Sequence, residues 1–162
     1  MARTPKAKAP VAKKAAAPKA AAKTGAKPKL RPEFKTARFQ KGVAMRRAVL
    51  GDAYVDASLG RANDFNAPLQ VIATEWAWNE VWTRPGLDKK IRSMLNIAML
   101  SALGRSHELA LHTRGAINNG VTREQIQEVL IQVGGYCGIP AAVEAFRVAS
   151  GVLAEIDAEK KG

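Results

Sequence analysis

The stretch from Trp82 to Gly120 constrains the fold of this chain more than any other segment. It opens with turn residues at 84–86, continues as an almost wholly apolar helix, breaks near Gly104, and resumes as a helix carrying both histidines. In this second helix, polar side chains follow at steps of three, four and seven residues: Arg105, Glu108, His112 and Asn119. At about 100° per residue they fall within roughly 60° of one helix face. Polar groups gathered beside an apolar helix predict a functional site.

The basic character of the chain belongs to its N-terminal segment. Residues 1–31 contain ten of the 26 lysines and arginines and none of the 14 acids, which leaves residues 32–162 nearly neutral with 16 bases. This segment is rich in Ala, Lys and Pro and lacks core-forming side chains, so we expect a disordered tail ahead of one folded domain, 32–162. Weak, salt-dependent contact with nucleic acid or another polyanion is one interpretation of the tail. Its lack of aromatic residues favours the other, an extension without a specific partner.

Cysteine content and apolar run length bear on the compartment. The single cysteine, Cys137, excludes an internal disulfide and any paired-cysteine redox or zinc motif, and a reducing compartment is the simplest setting. No apolar run is long enough to span a membrane, and no continuous apolar stretch of a secretory signal follows the N-terminal charges. We therefore expect a cytoplasmic protein with no membrane segment.

Helical periodicity runs through residues 35–162, and no segment shows sustained strand alternation. The pattern predicts an all-α domain of about six helices, the first of them continuous from Lys35 to near Gly60. Asp88 is expected to cap the apolar helix, Thr122 with Gln125 fits a capping box, and a pair of glycines at 134–135 is expected to end that helix before the last one begins. More helix faces are apolar than one chain needs for its core, which predicts self-association.

A metal site and a cysteine nucleophile have weak support in the sequence. His107 and His112 are five residues apart, about 140° around a helix, so they do not share a face. Glu108 does share a face with His112, but two ligands without a third are weak evidence for a metal. Cys137 lies among glycines and far in sequence from both histidines, and a free cysteine is often simply packed.

Acid–base and electrostatic chemistry fits the histidine helix better. A carboxylate at Glu108, one turn from His112, would fix the tautomer of the ring and raise its basicity, and Arg105 could hold an anionic substrate. The alternative is an exposed Glu–His pair that contributes about 0.2–0.5 kcal/mol. Arg84 has the parallel alternative of a surface turn arginine, and Glu75, in an apolar helix, must be either paired or functional. Spacing alone leaves these alternatives open.

Four segments together resemble one known family. They are DFNAPLQ, EWAWNEVWTRPGLDKKIRSMLNIAMLSAL, RSHELALHTRGAINNGVTREQIQEVL and GYCGIPAAVEAFRVA, in this order between about residues 34 and 155. They resemble the carboxymuconolactone decarboxylase family of the alkylhydroperoxidase D-like superfamily. Thiol peroxidases of that superfamily carry a Cys-x-x-Cys-x-x-x-His signature, whereas this chain has Arg105 and Glu108 in the cysteine positions before His112. The departure removes peroxidase chemistry and is typical of the decarboxylase branch.

The resemblance implies an alkylhydroperoxidase D-like helical fold, usually a homohexamer, and an enzyme without cofactor or metal. The implied reaction is decarboxylation of 4-carboxymuconolactone, a dicarboxylate lactone, to 3-oxoadipate enol-lactone in the β-ketoadipate pathway of protocatechuate degradation. We hypothesise that Arg105, with Arg84 second, binds a substrate carboxylate. His112, oriented by Glu108, is the hypothesised proton donor or oxyanion stabiliser, with His107 as the alternate and Glu75 completing the pocket. Two alternatives stay open: a related enzyme for another small oxo-acid, lactone or hydroperoxide, and a nucleic-acid-associated helical protein that uses the tail.

Overall fold

The computed structural model describes residues 31–161, and every regular element within them is helical. A 3-10 turn at Pro32–Lys35 comes first, and helix α3 runs directly into a π-helical segment, Ala73–Val81. The seven α-helices of this part of the chain are α1 (Ala37–Leu50), α2 (Asp52–Gly60), α3 (Ala67–Ile72), α4 (Lys89–Ala102), α5 (Ser106–Asn118), α6 (Arg123–Cys137) and α7 (Ile139–Glu159). The all-α prediction is confirmed. The prediction of a disordered tail falls on residues that lie, except for Arg31, outside the described part of the chain.

The predicted continuous helix from Lys35 to Gly60 is wrong, because the chain turns at Gly51. This glycine has φ of 85°, a conformation that side chains with a Cβ rarely adopt, and it separates α1 from α2. Its N–H still donates to the carbonyl of Arg47 at 2.8 Å, so the end of α1 is satisfied by its own backbone. Apolar residues continue at helical spacing on both sides of Gly51, so periodicity alone did not predict the turn there.

The predicted break at Gly134 and Gly135 is also wrong, since α6 runs through both glycines and ends before Gly138, where φ is 99°. Gly134 is buried instead of turning the chain. A Cβ built there would lie 3.2 Å from the Cβ of Ala142 on α7, so the missing side chain lets the two helices approach closely. A glycine in a helix can therefore allow a neighbouring helix to pack closely, and it does not always end the helix.

The predicted helix ends around the histidine helix are confirmed. The carboxylate of Asp88 accepts from the N–H of Ile91 at 2.7 Å, and Thr122 and Gln125 form both bonds of a capping box. Gly104 and Gly120, with φ of 65° and 80°, follow the ends of α4 and α5. The two side-chain caps mark where α4 and α6 begin, and the two glycine turns lie on either side of α5.

The core forms two clusters that meet along α5. One joins the 3-10 turn and α1 to α2 and the tryptophans of the π-helical segment, and the other joins α4, α5, α6 and α7. Helix α4 buries Ser93, Ile97 and Ser101 at steps of four, whereas the apolar side chains of Ile91 and Leu95 are exposed. Each buried serine donates to the carbonyl four residues earlier. The serine hydroxyls on this face of α4 are therefore buried with a hydrogen-bond partner.

A second apolar surface faces outward from α3 and the π-helical segment. Leu69, Ile72 and Trp76 are 63–65% exposed, while Trp78 and Trp82, the residue that follows the segment, are buried. The exposed face of α4 continues this apolar character with Leu95 and Met99. Across residues 31–161, no helix combines the length and apolar content that crossing a bilayer requires.

Candidate functional site

His112 lies between α4 and the π-helical segment. Its ring lies nearly parallel to those of Trp78 and Trp82, with centroid distances of 6.1 Å and 6.4 Å, and its Nδ1 is 3.4 Å from Nδ2 of Asn96 on α4. The tryptophans reach this position because the π-helical segment is wound more loosely than an α-helix: the N–H of Trp82 donates to the carbonyl of Ala77, five residues back. Such local widening is common at functional sites.

Burial makes His112 a neutral imidazole at physiological pH. It lowers the pKa of the ring from 6.5 to about 4, and the nearby negative charge of Glu108 offsets only part of this effect. With Asn96 donating through Nδ2, Nδ1 is the acceptor and the ring proton is carried by Nε2. His112 therefore presents an N–H donor rather than a cation.

Asn119 is the second polar residue that α5 presents to α4. Its Nδ2 donates to the hydroxyl of Ser93 at 2.9 Å, and its buried Oδ1 has no hydrogen-bond partner within residues 31–161. The prediction that His112 and Asn119 share one helix face is thus confirmed in part. Both contact polar side chains of α4, His112 through Asn96 and Asn119 through Ser93.

Glu108 and Arg105 are placed less centrally than the spacing predicted. Glu108 is exposed and influences His112 through its charge, and no hydrogen bond joins the two side chains in the described structure. Arg105 precedes the first turn of α5 with φ of −93° and ψ of 68°, outside helical geometry, so its side chain departs from the predicted arc. It lines a small cleft of about 90 Å³ between α4, α5 and α7, together with Ser106 and Glu144.

His107 faces another part of the molecule. It lines an open cleft of about 520 Å³ formed by the α1–α2 turn, α5 and α7, whose other polar lining residues are Asp52, Tyr54, Arg114 and Glu155. The two histidines therefore have different surroundings within a single chain. Across residues 31–161, no three His, Cys, Asp or Glu side chains gather into a group that could hold a metal ion.

Glu75 and Arg84 are not brought to His112 by the contacts that the structure records. Glu75 accepts a hydrogen bond from the hydroxyl of Thr36 at 2.9 Å and lies 3.8 Å from the guanidinium of Arg38, so it is paired toward α1. Arg84 is exposed in the turn before α4 and contributes its backbone carbonyl to Arg92. Cys137 is exposed at the end of α6.

Sequence reasoning missed the residues that surround His112. Asn96, Trp82 and Arg92 line one cleft of about 100 Å³, whose remaining walls are the side chains of Val81, Leu95 and Met99. One signal was available: Asn96 is a lone amide within the apolar run MLNIAML. The tryptophans carried no comparable signal, because their orientation depends on the π-helical winding.

The fold and the site together define an all-helical protein with a neutral histidine enclosed between two helices and a tryptophan pair. Comparison with known proteins gives the family. Residues 68–151 match the carboxymuconolactone decarboxylase family, and this range contains α4, α5, the tryptophans and His112. The chain belongs to the carboxymuconolactone decarboxylase family, which confirms the family resemblance of the sequence.

Relatives with named activities are decarboxylases. The chain is 41% identical over 119 residues to 4-carboxymuconolactone decarboxylase of Acinetobacter baylyi, covering 74% of this chain and 89% of that protein. It is 47% identical over 110 residues to nitrosuccinic acid decarboxylase of Metarhizium robertsii, covering 68% of this chain and 77% of that protein. A 40-residue match to 4-carboxymuconolactone decarboxylase of Pseudomonas putida is 50% identical and covers 25% of this chain and 83% of that protein.

Proposed function

We propose that this protein is a carbon–carbon lyase that decarboxylates 4-carboxymuconolactone to 3-oxoadipate enol-lactone, a step in protocatechuate degradation. The observation that carries the proposal is the 41% identity that extends over 89% of 4-carboxymuconolactone decarboxylase of Acinetobacter baylyi. The enclosed neutral histidine supports it chemically, because the reaction needs a placed hydrogen-bond donor where negative charge develops.

The substrate supplies its own electron sink. One ring carbon of the lactone carries both a carboxylate and a CH2-carboxylate arm, and the bond from that carbon to the first carboxylate breaks as CO2 leaves. The electron pair moves through the ring C=C to the lactone carbonyl, whose oxygen becomes negative. A proton then adds to the carbon beside the carbonyl, which gives the enol-lactone. This electron flow needs no cofactor.

We assign oxyanion stabilisation to His112. The Nε2–H of a neutral imidazole can donate to the developing oxyanion without first losing a proton. An oxyanion beside the ring favours its protonated form and would raise its pKa. The ring can then take up a proton from solvent water, give one to the carbon beside the carbonyl, and return to its neutral form. Asn96 and the tryptophans hold the ring, and Glu108 tunes it through its charge.

Nitrosuccinic acid is a second candidate substrate, favoured by the 47% identity to nitrosuccinic acid decarboxylase. Loss of CO2 from the carbon that bears the nitro group leaves a nitronate, in which the nitro oxygens accept the electron pair as the lactone carbonyl does. The same arrangement of a hydrogen-bond donor and a proton source would serve both reactions.

We further propose a cytoplasmic homo-oligomer, with six subunits implied by the family resemblance. The exposed apolar surface formed by Leu69, Ile72 and Trp76 supports association, since single chains rarely expose contiguous apolar patches of this kind to water.

Ultraviolet-monitored turnover tests the proposal most directly. Enzymatically generated 4-carboxymuconolactone and nitrosuccinic acid are supplied separately to the full-length oligomer, with EDTA present and no cofactor added. Conversion of the lactone to 3-oxoadipate enol-lactone is expected. Conversion of nitrosuccinic acid alone would transfer the function to the second candidate, and a folded protein that converts neither would refute both.

Substituting each histidine separately tests the assignment within the site. We expect His112→Ala to lower kcat by about 10²–10³-fold, the range seen when one oxyanion donor is removed. His107→Ala is the matched change in the other cleft. Should His107→Ala abolish turnover while His112→Ala retains it, the catalytic role belongs to the cleft between α2, α5 and α7.

A further inference from the structure

Arg92 on α4 holds its guanidinium in one orientation. Its Nε donates to the carbonyl of Leu87 at 3.2 Å and its Nη2 to the carbonyl of Arg84 at 3.0 Å, so one edge of the group is bound to the turn before α4. The edge formed by Nη1 and the remaining hydrogen of Nη2 has no partner within residues 31–161. A guanidinium fixed along one edge is prepared to bind a carboxylate bidentately along the other.

The side chain of Arg92 lines the cleft beside His112. Arg92, Trp82 and Asn96 line this cleft, and Trp82 and Asn96 are also the residues that contact the His112 ring. Arg92 and Asn96 are four residues apart, a rise of about 6 Å along the helix. The positive charge of Arg92 and the amide donor of Asn96 thus lie one helical turn apart on the side of the cleft formed by α4.

The two candidate substrates share one chemical unit. In both, the carbon that loses CO2 also bears a CH2-carboxylate, so each is a succinate with different substituents on that carbon. The retained carboxylate is separated from the oxygen that becomes negative by four or five bonds, a distance of about 5 Å. A unit of this length spans about one turn of α4, the separation along the helix between Arg92 and the Asn96 that contacts the His112 ring.

We propose that Arg92 binds the CH2-carboxylate of a substituted succinate while His112 faces the developing oxyanion, an inference that rests on the proposed decarboxylation. Arg105 and Arg84, the arginines that the sequence favoured, are placed less well. Arg105 lines a different cleft, toward α7, and the side chain of Arg84 has no recorded contact that would orient it. Arg92 therefore determines which class of anion the site accepts.

Binding of two unreactive probes tests the inference without requiring turnover. Monomethyl succinate carries one free carboxylate for Arg92 to bind, and dimethyl succinate carries none. Isothermal titration calorimetry on the full-length protein compares their affinities in the wild type, Arg92→Gln and Arg92→Lys. Arg123→Gln, at a surface pair with Asp157, is the matched control for loss of an arginine.

We expect the wild type and Arg123→Gln to bind the monoester more tightly than the diester by roughly 10- to 100-fold, the strength of a charge-assisted bidentate pair. Arg92→Gln should remove this ratio, and Arg92→Lys, which keeps the charge but not the fork, should restore only part of it. If Arg92 only stabilises the turn, Arg92→Gln weakens both probes equally and the ratio persists. That result, or a wild type that does not distinguish the probes, overturns the inference.

Turnover measurements distinguish failure of the Arg92 proposal from failure of the proposed decarboxylase function. With 4-carboxymuconolactone as substrate, Arg92→Gln should raise KM by roughly 10- to 100-fold and change kcat less, because the retained carboxylate is bound in ground and transition states alike. Wild-type turnover with an unchanged KM in Arg92→Gln refutes the role of Arg92 alone. A wild type that binds the probes through Arg92 but converts neither substrate refutes the proposed function alone.

Discussion

Acidification should destabilise this protein through His112, and the size of the effect follows from its burial. The pKa of the ring is 6.5 in a solvated chain and about 4 in the folded protein. Between these values the unfolded chain binds a proton that the folded protein does not, so the free energy of unfolding falls as the pH falls. The contribution of neutral His112 is complete above pH 6.5 and is lost progressively toward pH 4. At 1.36 kcal/mol per pKa unit the full loss is about 3 kcal/mol.

Urea denaturation at pH 7.5 and pH 5 measures this effect. Linkage with these two pKa values gives a loss of about 2 kcal/mol over that interval for the wild type. Carboxylates that accept hydrogen bonds from arginines also lower the free energy of unfolding as the pH falls. The largest lowering of a carboxylate pKa is that of Glu144, to about 2, caused by Arg147 and Ser106. These groups titrate mostly below pH 5 and are the same in every variant compared. The difference between wild type and His112→Gln therefore isolates the histidine.

We expect His112→Gln to be about 2 kcal/mol less sensitive to the change from pH 7.5 to pH 5 than the wild type. His107→Gln is the matched substitution of the other, exposed histidine. The ring resonances of His112 should titrate near pH 4 by nuclear magnetic resonance. Equal pH sensitivity in His112→Gln and the wild type, or titration of His112 at or above pH 6.5, would refute the buried neutral ring and the donor role built on it.

Three further predictions concern packing, association and the support of the ring. Gly42→Ala should lower the free energy of unfolding by about 1–3 kcal/mol in urea denaturation, because its Cβ would lie 2.3 Å from the carbonyl oxygen of Thr74. Gly135→Ala, exposed within α6, should raise it by about 0.5–1 kcal/mol, and similar effects at both glycines would contradict the packing argument. Trp76→Glu should reduce the mass measured by light scattering to that of smaller assemblies; an unchanged mass would place the interface elsewhere. Asn96→Ala should lower kcat about 10-fold with little change in KM, as expected for a lost hydrogen bond that positions His112; unchanged kcat would show that Asn96 does not position it.

Local sequence chemistry was sufficient for the fold class, the helix caps and the family. The capping box at Thr122, the cap at Asp88 and the glycines after α4 and α5 act within a few residues, so their physics is contained in short segments. Motifs spread between residues 64 and 149 were specific enough to indicate the family that the comparisons confirm. His112 was recognisable from the sequence because the helix that carries it, and the break at Gly104 before that helix, are also local features.

Tertiary structure decided where glycines turn the chain and which groups reach His112. Gly51 and Gly134 look alike as letters, yet one adopts a positive φ and the other admits a neighbouring helix, and only the packed partner distinguishes them. Arg105 and Arg92 are both charged residues near apolar helices, but only Arg92 is held by the turn before α4 and lines the cleft beside His112. Helical periodicity places a side chain on its own helix, whereas the site is made by three segments whose relative rotation depends on packing between them.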